Sequence, residues 1–323
     1  KLGGVLCMET FGDTTWTASA EGLTAWKKGV GRIVHYTPMN SDLDVNQLSG
    51  LQIDDQGTIW TSGTNDGLYR IKGGVITKYR FSEFTYAPEF VYLDPHDNLW
   101  FTGQNPITGE SGLIQTDGNS FITHDTLVSN IPAHMNLWLN TDLSHNLWVA
   151  TQGYLCRYDG SQWTIVDSSF STVSGYRDFN IQTCDANGFV WGTDPNRTAF
   201  YRYGSGAWTT LPLTALPFPS YQWMIIGNDL LGNVYFRGLS AYSTPANISV
   251  LYQYDGNTFT LLDSTGSSGA PLSVRMDSTL TIWIARADGR MSSIDATGRI
   301  DYTESDLATI PNYHCQEVAF DKE

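Results

Sequence analysis

The stretch LNTDLSHNLWVAT, residues 139–151, sets two short apolar segments around a polar turn, with Asp142 closing the first and Trp148 inside the second. Apolar residues alternate on both sides of the turn, which is the period of a half-buried strand and not of a helix. The same arrangement reads LQIDDQGTIWTSG at 51–63, VYLDPHDNLWFTG at 91–103 and QTCDANGFVWGTD at 182–194. It recurs as IGNDLLGNVYFRG at 226–238 and VRMDSTLTIWIAR at 274–286. In each copy the Asp precedes the aromatic by six residues: Asp54 and Trp60, Asp94 and Trp100, Asp142 and Trp148, Asp185 and Trp191, Asp229 and Tyr235, Asp277 and Trp283. A seventh copy, around Trp16, carries Thr10 at the Asp position. From Trp16 to Trp283 the copies return about every 44 residues, a period that belongs to β-propeller blades.

Working outward, each copy continues into a hairpin: GLYRIKGGVITKY at 67–79, YLCRYDGSQWTIV at 154–166, AFYRYGSGAWTTL at 199–211 and LYQYDGNTFTLL at 251–262. The turns fall at GG, DGS, GSG and DGN, where Gly supplies the positive φ of a tight hairpin. Four short strands per copy predict an all-β fold, a seven-bladed β-propeller of four-stranded antiparallel blades. The repeats run 5–48, 49–88, 89–135, 136–178, 179–221, 222–270 and 271–315, in a single domain over 1–323. An eighth inner-strand signal, EVAFD, follows at 317–321 and keeps the Asp. The N-terminal candidate VLCMET puts Glu9 in a column that is apolar in the other copies. Residues 316–321 are therefore expected to close the ring by pairing with the N-terminal strands in one blade, which hides the end edges. The competing reading is a chain cut short of a further blade.

Composition narrows the functional classes. The 323 residues include 18 Lys and Arg against 33 Asp and Glu, a formal charge of −15. That field repels phosphate backbones and anionic head groups, so nucleic acid and membrane surfaces are poor partners. No run of apolar residues is long enough to span a bilayer as a helix. Cys7, Cys156, Cys184 and Cys315 show no CxxC spacing, which disfavours zinc ribbons and thioredoxin-type chemistry and reads as small buried hydrophobes. In an exported chain a Cys7–Cys315 disulfide is the one pairing suggested, since both lie near chain ends. The sequence opens at Lys1 without Met, as a processed chain or a fragment does.

The unit of apolar-x-apolar-Asp-x-x-Gly-x-aromatic followed by Gly-Leu-x-Arg and a Gly turn resembles the two-component-regulator propeller repeat. It resembles the propeller of the streptogramin lyases more loosely. Matching stretches run over nearly the whole chain, most cleanly at 51–79, 139–166 and 181–211. The resemblance implies a propeller that is exported: a periplasmic sensor half, or part of a secreted or cell-surface protein. The streptogramin lyases hold Mg²⁺ with a His and Glu arrangement in late blades. Here blade seven reads MDSTLTIWIARADGRMSSID at 276–295 without a His, so that arrangement does not carry over.

Candidate sites follow from what repeats and what does not. An Asp that ends a strand in nearly every copy accepts turn amides and serves the scaffold, and the repeated Trp packs between blades. His96 and His145 share one turn position, His35 and His124 sit on outer strands, and His134 and His314 lead into inner strands. Loops of irregular length join the second to the third strand and the outer strand to the next inner one, so both sets emerge on one face, where function is commonly grafted. They carry Tyr86, Tyr176, Tyr221, Trp223 and Tyr242. Two residues before the repeat Asp lies a polar column of Gln52, Tyr92, Asn140, Thr183 and Arg275. The expected ligand-binding residues are Tyr86, Tyr92, Asn140, Tyr176, Tyr221, Trp223, Tyr242 and Arg275, with no catalytic residue, metal ligand or cofactor. The expected function is an exported, non-catalytic binding or sensing module for a glycan or protein partner. A carbohydrate-active lyase or hydrolase on the same face, and an assembly subunit of a secretion or cell-surface complex, are the alternatives.

Overall fold

The computed structural model describes residues 5–27, 30–45, 47–63, 67–80, 87–94, 96–104, 111–124, 138–151, 153–218, 222–240, 248–266, 269–277, 279–287 and 290–302. They form seven four-stranded antiparallel sheets, the blades of a β-propeller. Two compact units hold them, divided between residues 137 and 138.

The first unit contains three blades. Blade 1 is β1 (Val5–Phe11), β2 (Thr14–Ser19), β3 (Gly22–Lys27) and β4 (Gly31–Tyr36). Blade 2 is β5 (Leu48–Ile53), β6 (Ile59–Gly63), β7 (Gly67–Lys72) and β8 (Val75–Arg80). Blade 3 is β9 (Ala87–Leu93), β10 (Leu99–Gln104), β11 (Ser111–Thr116) and β12 (Phe121–His124). The second unit contains four. Blade 4 is β13 (Trp138–Thr141), β14 (Leu147–Thr151), β15 (Tyr154–Tyr158) and β16 (Trp163–Asp167). After a one-turn helix α1 (Phe170–Ser174), blade 5 is β17 (Asn180–Cys184), β18 (Val190–Thr193), β19 (Ala199–Gly204) and β20 (Ala207–Pro212). Blade 6 is β21 (Gln222–Asn228), β22 (Val234–Leu239), β23 (Ile248–Tyr254) and β24 (Phe259–Gly266). Blade 7 is β25 (Pro271–Met276), β26 (Ile282–Arg286), β27 (Met291–Asp295) and β28 (Gly298–Tyr302). Every sheet is a simple meander in chain order.

The neighbour of β2 is β1, paired from Val5 opposite Ser19 to Phe11 opposite Thr14, so VLCMETF supplies the inner strand of blade 1. The expected occupant of that place, 316–321, lies outside the described residues, as does Cys315. The register shows why Glu9 is no obstacle. Blade 1 turns in two residues, Gly12 and Asp13, with Gly12 at φ +55°. The other turns take five residues, as between Ile53 and Ile59. The shorter turn moves the alignment by one position, so Glu9 stands opposite Trp16 just as Gln52 stands opposite Trp60. Glu9 belongs to the polar column, and a one-residue slip had put it on the wrong face.

Within each unit the cores lie between consecutive blades. Trp191 and Phe200 of blade 5 pack with Ile225, Val234 and Phe236 of blade 6. Tyr235 and Leu251 of blade 6 meet Val274 and Ile284 of blade 7. In the first unit Ala18 and Leu23 pack on Leu48 and Leu51, and Trp60 and Leu68 on Leu99 and Phe101. A second strand such as β18 is buried along its whole length because a sheet covers each face, whereas the outer β20 exposes most of its residues. Each fully buried Phe or Leu contributes about 1.5–3 kcal/mol.

Candidate functional site

Strand direction gives each blade two ends. The turn between first and second strands lies at one, and the second-to-third turn and the blade-to-blade connection lie at the other. The repeat Asp belongs to the first end. Asp185 Oδ1 accepts the amides of Asn187 (2.9 Å) and Phe189 (3.0 Å), and Oδ2 accepts the Trp191 indole N–H at 2.7 Å. Asp94, Asp142 and Asp277 repeat this with the indoles of Trp100, Trp148 and Trp283, each at 2.8 Å. In blade 6 the Tyr235 hydroxyl replaces the indole, donating to Asp229 Oδ2 at 2.7 Å. The fixed six-residue offset is therefore a side-chain hydrogen bond, and these carboxylates are spent on their own turns. Burial works to raise the Asp277 carboxyl, but bonds from Trp283, Thr279 and the amides of 281 and 279 outweigh it and bring the pKa down to about 2. Burial first, and the bond to Asp229 second, push the Tyr235 phenol well up.

At the other end the expected residues separate. Tyr86, Tyr221 and Tyr242 lie outside the described residues. Tyr92 is half-buried opposite Trp100, in the first unit. In that unit the column is laced sideways, since Gln52 Nε2 donates to Glu9 Oε1 at 3.3 Å and Gln52 Oε1 accepts the Leu93 amide at 3.2 Å. In the second unit Asn140 and Arg275 are half-buried opposite Trp148 and Trp283. Tyr176 follows α1, and its hydroxyl accepts Asn196 Nδ2 at 3.0 Å, which joins the connection before blade 5 to that blade's own second-to-third turn. Trp223 is not a loop ring: it is the second residue of β21 and only 3% exposed. Its strand partner is Gly238, and a Cβ there would sit 3.0 Å from the indole, so the glycine makes the room in which the ring lies flat.

The sequence reading missed a cluster of charge at this same end, between blades 6 and 7. A cavity of about 240 Å³ is lined by Arg286, Arg290, Arg299, Asp301, Thr265 and the glycines 266 and 269. Arg286 is 3% exposed and Asp263 4%. Arg286 donates through Nε to Ser292 Oγ (2.8 Å) and through Nη1 to the Gly269 carbonyl (3.0 Å). Its Nη2 lies 2.7 Å from Asp263 Oδ2, but off the line of a hydrogen bond. Arg299 reaches Asp263 Oδ1 through Nη1 and Asp301 Oδ1 through Nε and Nη2, both at 2.8 Å to Asp301. Burial opposes ionisation of Asp301, but the bonds from Ser292 and Arg299 prevail and hold its carboxyl below the usual range. The available signal was compositional: three of the chain's 18 basic residues fall at 286, 290 and 299 in an acidic protein.

No known family profile matches this chain, and no characterised protein sequence does. Solved structures do match. A streptogramin B lyase superposes with a TM-score of 0.59 at 14% identity, covering 93% of this chain and 94% of that one. The extracellular domain of a hybrid two component system from B. thetaiotaomicron gives 0.58 at 16% identity over 91% of this chain and 38% of that one. YCF48 bound to D1 peptide gives 0.57 at 12% identity, over 88% and 89%. Both resemblances read from the repeat thus return as likenesses of fold, and at these identities it is the fold alone that is shared.

Proposed function

We propose that this propeller is an exported, non-catalytic binding or sensing module that recognises a glycan or protein partner through the end of the blades carrying the second-to-third turns. The observation that carries the reading is the division of chemistry between the two ends. The recurring carboxylates are consumed by their own turns and by Trp or Tyr donors. The non-recurring polar groups, Tyr176 with Asn196 and the three arginines with Asp263 and Asp301, gather at the opposite end. A rigid scaffold that keeps one end constant and varies the other suits recognition. Likeness in fold to the extracellular domain of a two component system supports export, and likeness to a propeller solved with a peptide supports a protein partner. Tyr92, Asn140, Tyr176 and Arg275 are the proposed contacts among the described residues, joined by Tyr86, Tyr221 and Tyr242, and the whole of 1–323 acts as one domain.

The test is a glycan array and a peptide panel probed with the full chain and followed by calorimetric titration. Tyr176→Ala and Arg299→Gln should lose binding, whereas Asp185→Ala should lose stability and keep it. Loss of binding in a normally folded Asp185→Ala would overturn the reading, and turnover of the captured ligand would replace it with the carbohydrate lyase or hydrolase.

A further inference from the structure

The turn between the third and fourth strands of a blade lies at the same end as the repeat Asp, and one position in it changes sign from blade to blade. Two residues after the third-strand partner of the repeat aromatic stand Asp117, Asp159, Asp255 and Asp295 in blades 3, 4, 6 and 7, and Gly204 in blade 5. Blades 1 and 2 carry Lys27 and Lys72 there. The same stretch holds much of the basic character: residues 27–80 contain seven Lys and Arg against five Asp, in a chain of 18 basic against 33 acidic residues, and the next basic residue is Arg157. Lys27 pairs with Asp13 at 2.6 Å. The exposed Lys72 donates Nζ only to a neutral acceptor, Gln56 Oε1, at 3.2 Å, and the exposed Arg32 makes no hydrogen bond or ion pair among the described residues. Apolar side chains stand out beside these charges. Gly73 and Gly74, at φ +58° and +82°, close the blade 2 turn in two residues, so Val75 pairs with Lys72 and is 68% exposed. In blade 1 Val30, whose amide donates to the Lys27 carbonyl at 3.1 Å, is equally exposed, and Ile33 next to Arg32 is half exposed. The two tips belong to neighbouring blades of one unit that share the core of Leu23, Leu48 and Ile71.

Exposed apolar side chains beside cations that no carboxylate meets suit a partner surface that is both acidic and apolar. The charge of the whole chain separates the candidates. A nucleic-acid duplex or a bilayer is an extended polyanion and meets the full formal charge of −15, and a second copy brings the same charge again. A short acidic segment meets only the blades whose sign is reversed. We propose that the outer turns of blades 1 and 2 form a docking surface for an acidic segment of a partner protein, with Lys72 and Arg32 meeting its carboxylates and Val30 and Val75 its apolar side chains. This surface lies at the opposite end of the blades from the second-to-third turns, so it goes beyond the binding-module reading and does not depend on it.

The experiment follows the anisotropy of a fluorescein-labelled dodecapeptide of Asp and Glu with a central pair of Leu, titrated with the full chain at low and at high salt. Saturable binding that weakens with added salt is expected. Lys72→Asp installs the residue that four other blades carry at this position, so it should keep its melting temperature. It should bind about tenfold more weakly, because an exposed attraction becomes a repulsion. Arg32→Gln and Val75→Ser should each bind severalfold more weakly. Absence of saturable binding, or binding unaltered in both Lys72→Asp and Arg32→Gln, overturns the proposal. Tighter binding of phosphatidylserine vesicles or of a DNA duplex through the same residues also overturns it and makes the surface a polyanion site. Tyr176→Ala, altered at the other end, should bind the peptide as the unaltered protein does, and loss of the peptide there would move the acidic segment to that end. If the peptide docks at Lys72 but nothing is captured through Tyr176, this surface stands and the binding-module reading falls.

Discussion

The most instructive residue is the aspartate that closes the first strand of a blade. At Asp185 it satisfies two backbone amides and the indole of Trp191, itself 2% exposed. Asp185→Ala leaves that buried N–H without its acceptor, so a loss of about 2–3 kcal/mol is expected, read from the denaturant midpoint. Asp54 makes the two amide bonds but no bond to Trp60, and Asp54→Ala should cost less, about 0.5–2 kcal/mol. Equal losses in the two variants would show that the indole bond contributes nothing. Asp277 adds a pH dependence. Its folded carboxyl titrates at about 2, below the ordinary 3.8, because hydrogen bonds overcome the opposing effect of burial. A depressed folded pKa gives stability that is complete above pH 3.8 and fades as the pH falls towards 2. The difference in melting temperature between the protein and Asp277→Asn should therefore shrink across that window, and a constant difference would contradict the assignment.

At the scale of the element, close approach governs more than propensity. Blade 6 places Trp223 against the bare backbone of Gly238 on the next strand. A methyl at 238 would stand 3.0 Å from the indole, tighter than ordinary contact, and the ring is too well packed to step aside. Gly238→Ala should cost about 1–3 kcal/mol, the range for overpacking, measured by chemical unfolding. A neutral result would mean that β21 slides without penalty. The pairing of first and second strands is bulged in most blades, as between Ile181 and Thr183 and between Ile225 and Gly227, which adds local twist. The bulges lie beyond the polar column and do not set it: Thr183 stands opposite Trp191 and Gly227 opposite Tyr235, as Asn140 stands opposite Trp148 in the unbulged pairing of blade 4.

At the scale of the molecule, each blade is stable because its neighbour buries its face, and an end strand matters as much as an inner one. β1 pairs along β2 and packs on β5, with Cys7 and Trp16 against the Leu48–Leu51 core. Removing residues 1–11 should uncover the edge of β2 and lower stability by several kcal/mol, on the order of a lost strand's burial. An unchanged thermal transition would show that β1 does not hold blade 1. Architecture was legible in the order of residues because a period of Asp, turn and aromatic is local: the hydrogen bonds that the Asp142 carboxylate accepts come from within six positions of it. Blade number, strand order and the scaffold role of the acids follow from that short range. Three matters were settled only by folding. The assignment of β1 turned on a shorter turn that moves the alignment by one position, which alternation alone does not count. Trp223 turned inward because a glycine fifteen positions away lies across from it. The arginine cavity joins Asp263, Arg286 and Arg299 from three strands, 36 positions apart at the widest. Such groups meet only when two blades pack, since Coulomb attraction between distant chain positions counts for little until desolvation and fixed geometry bring them together.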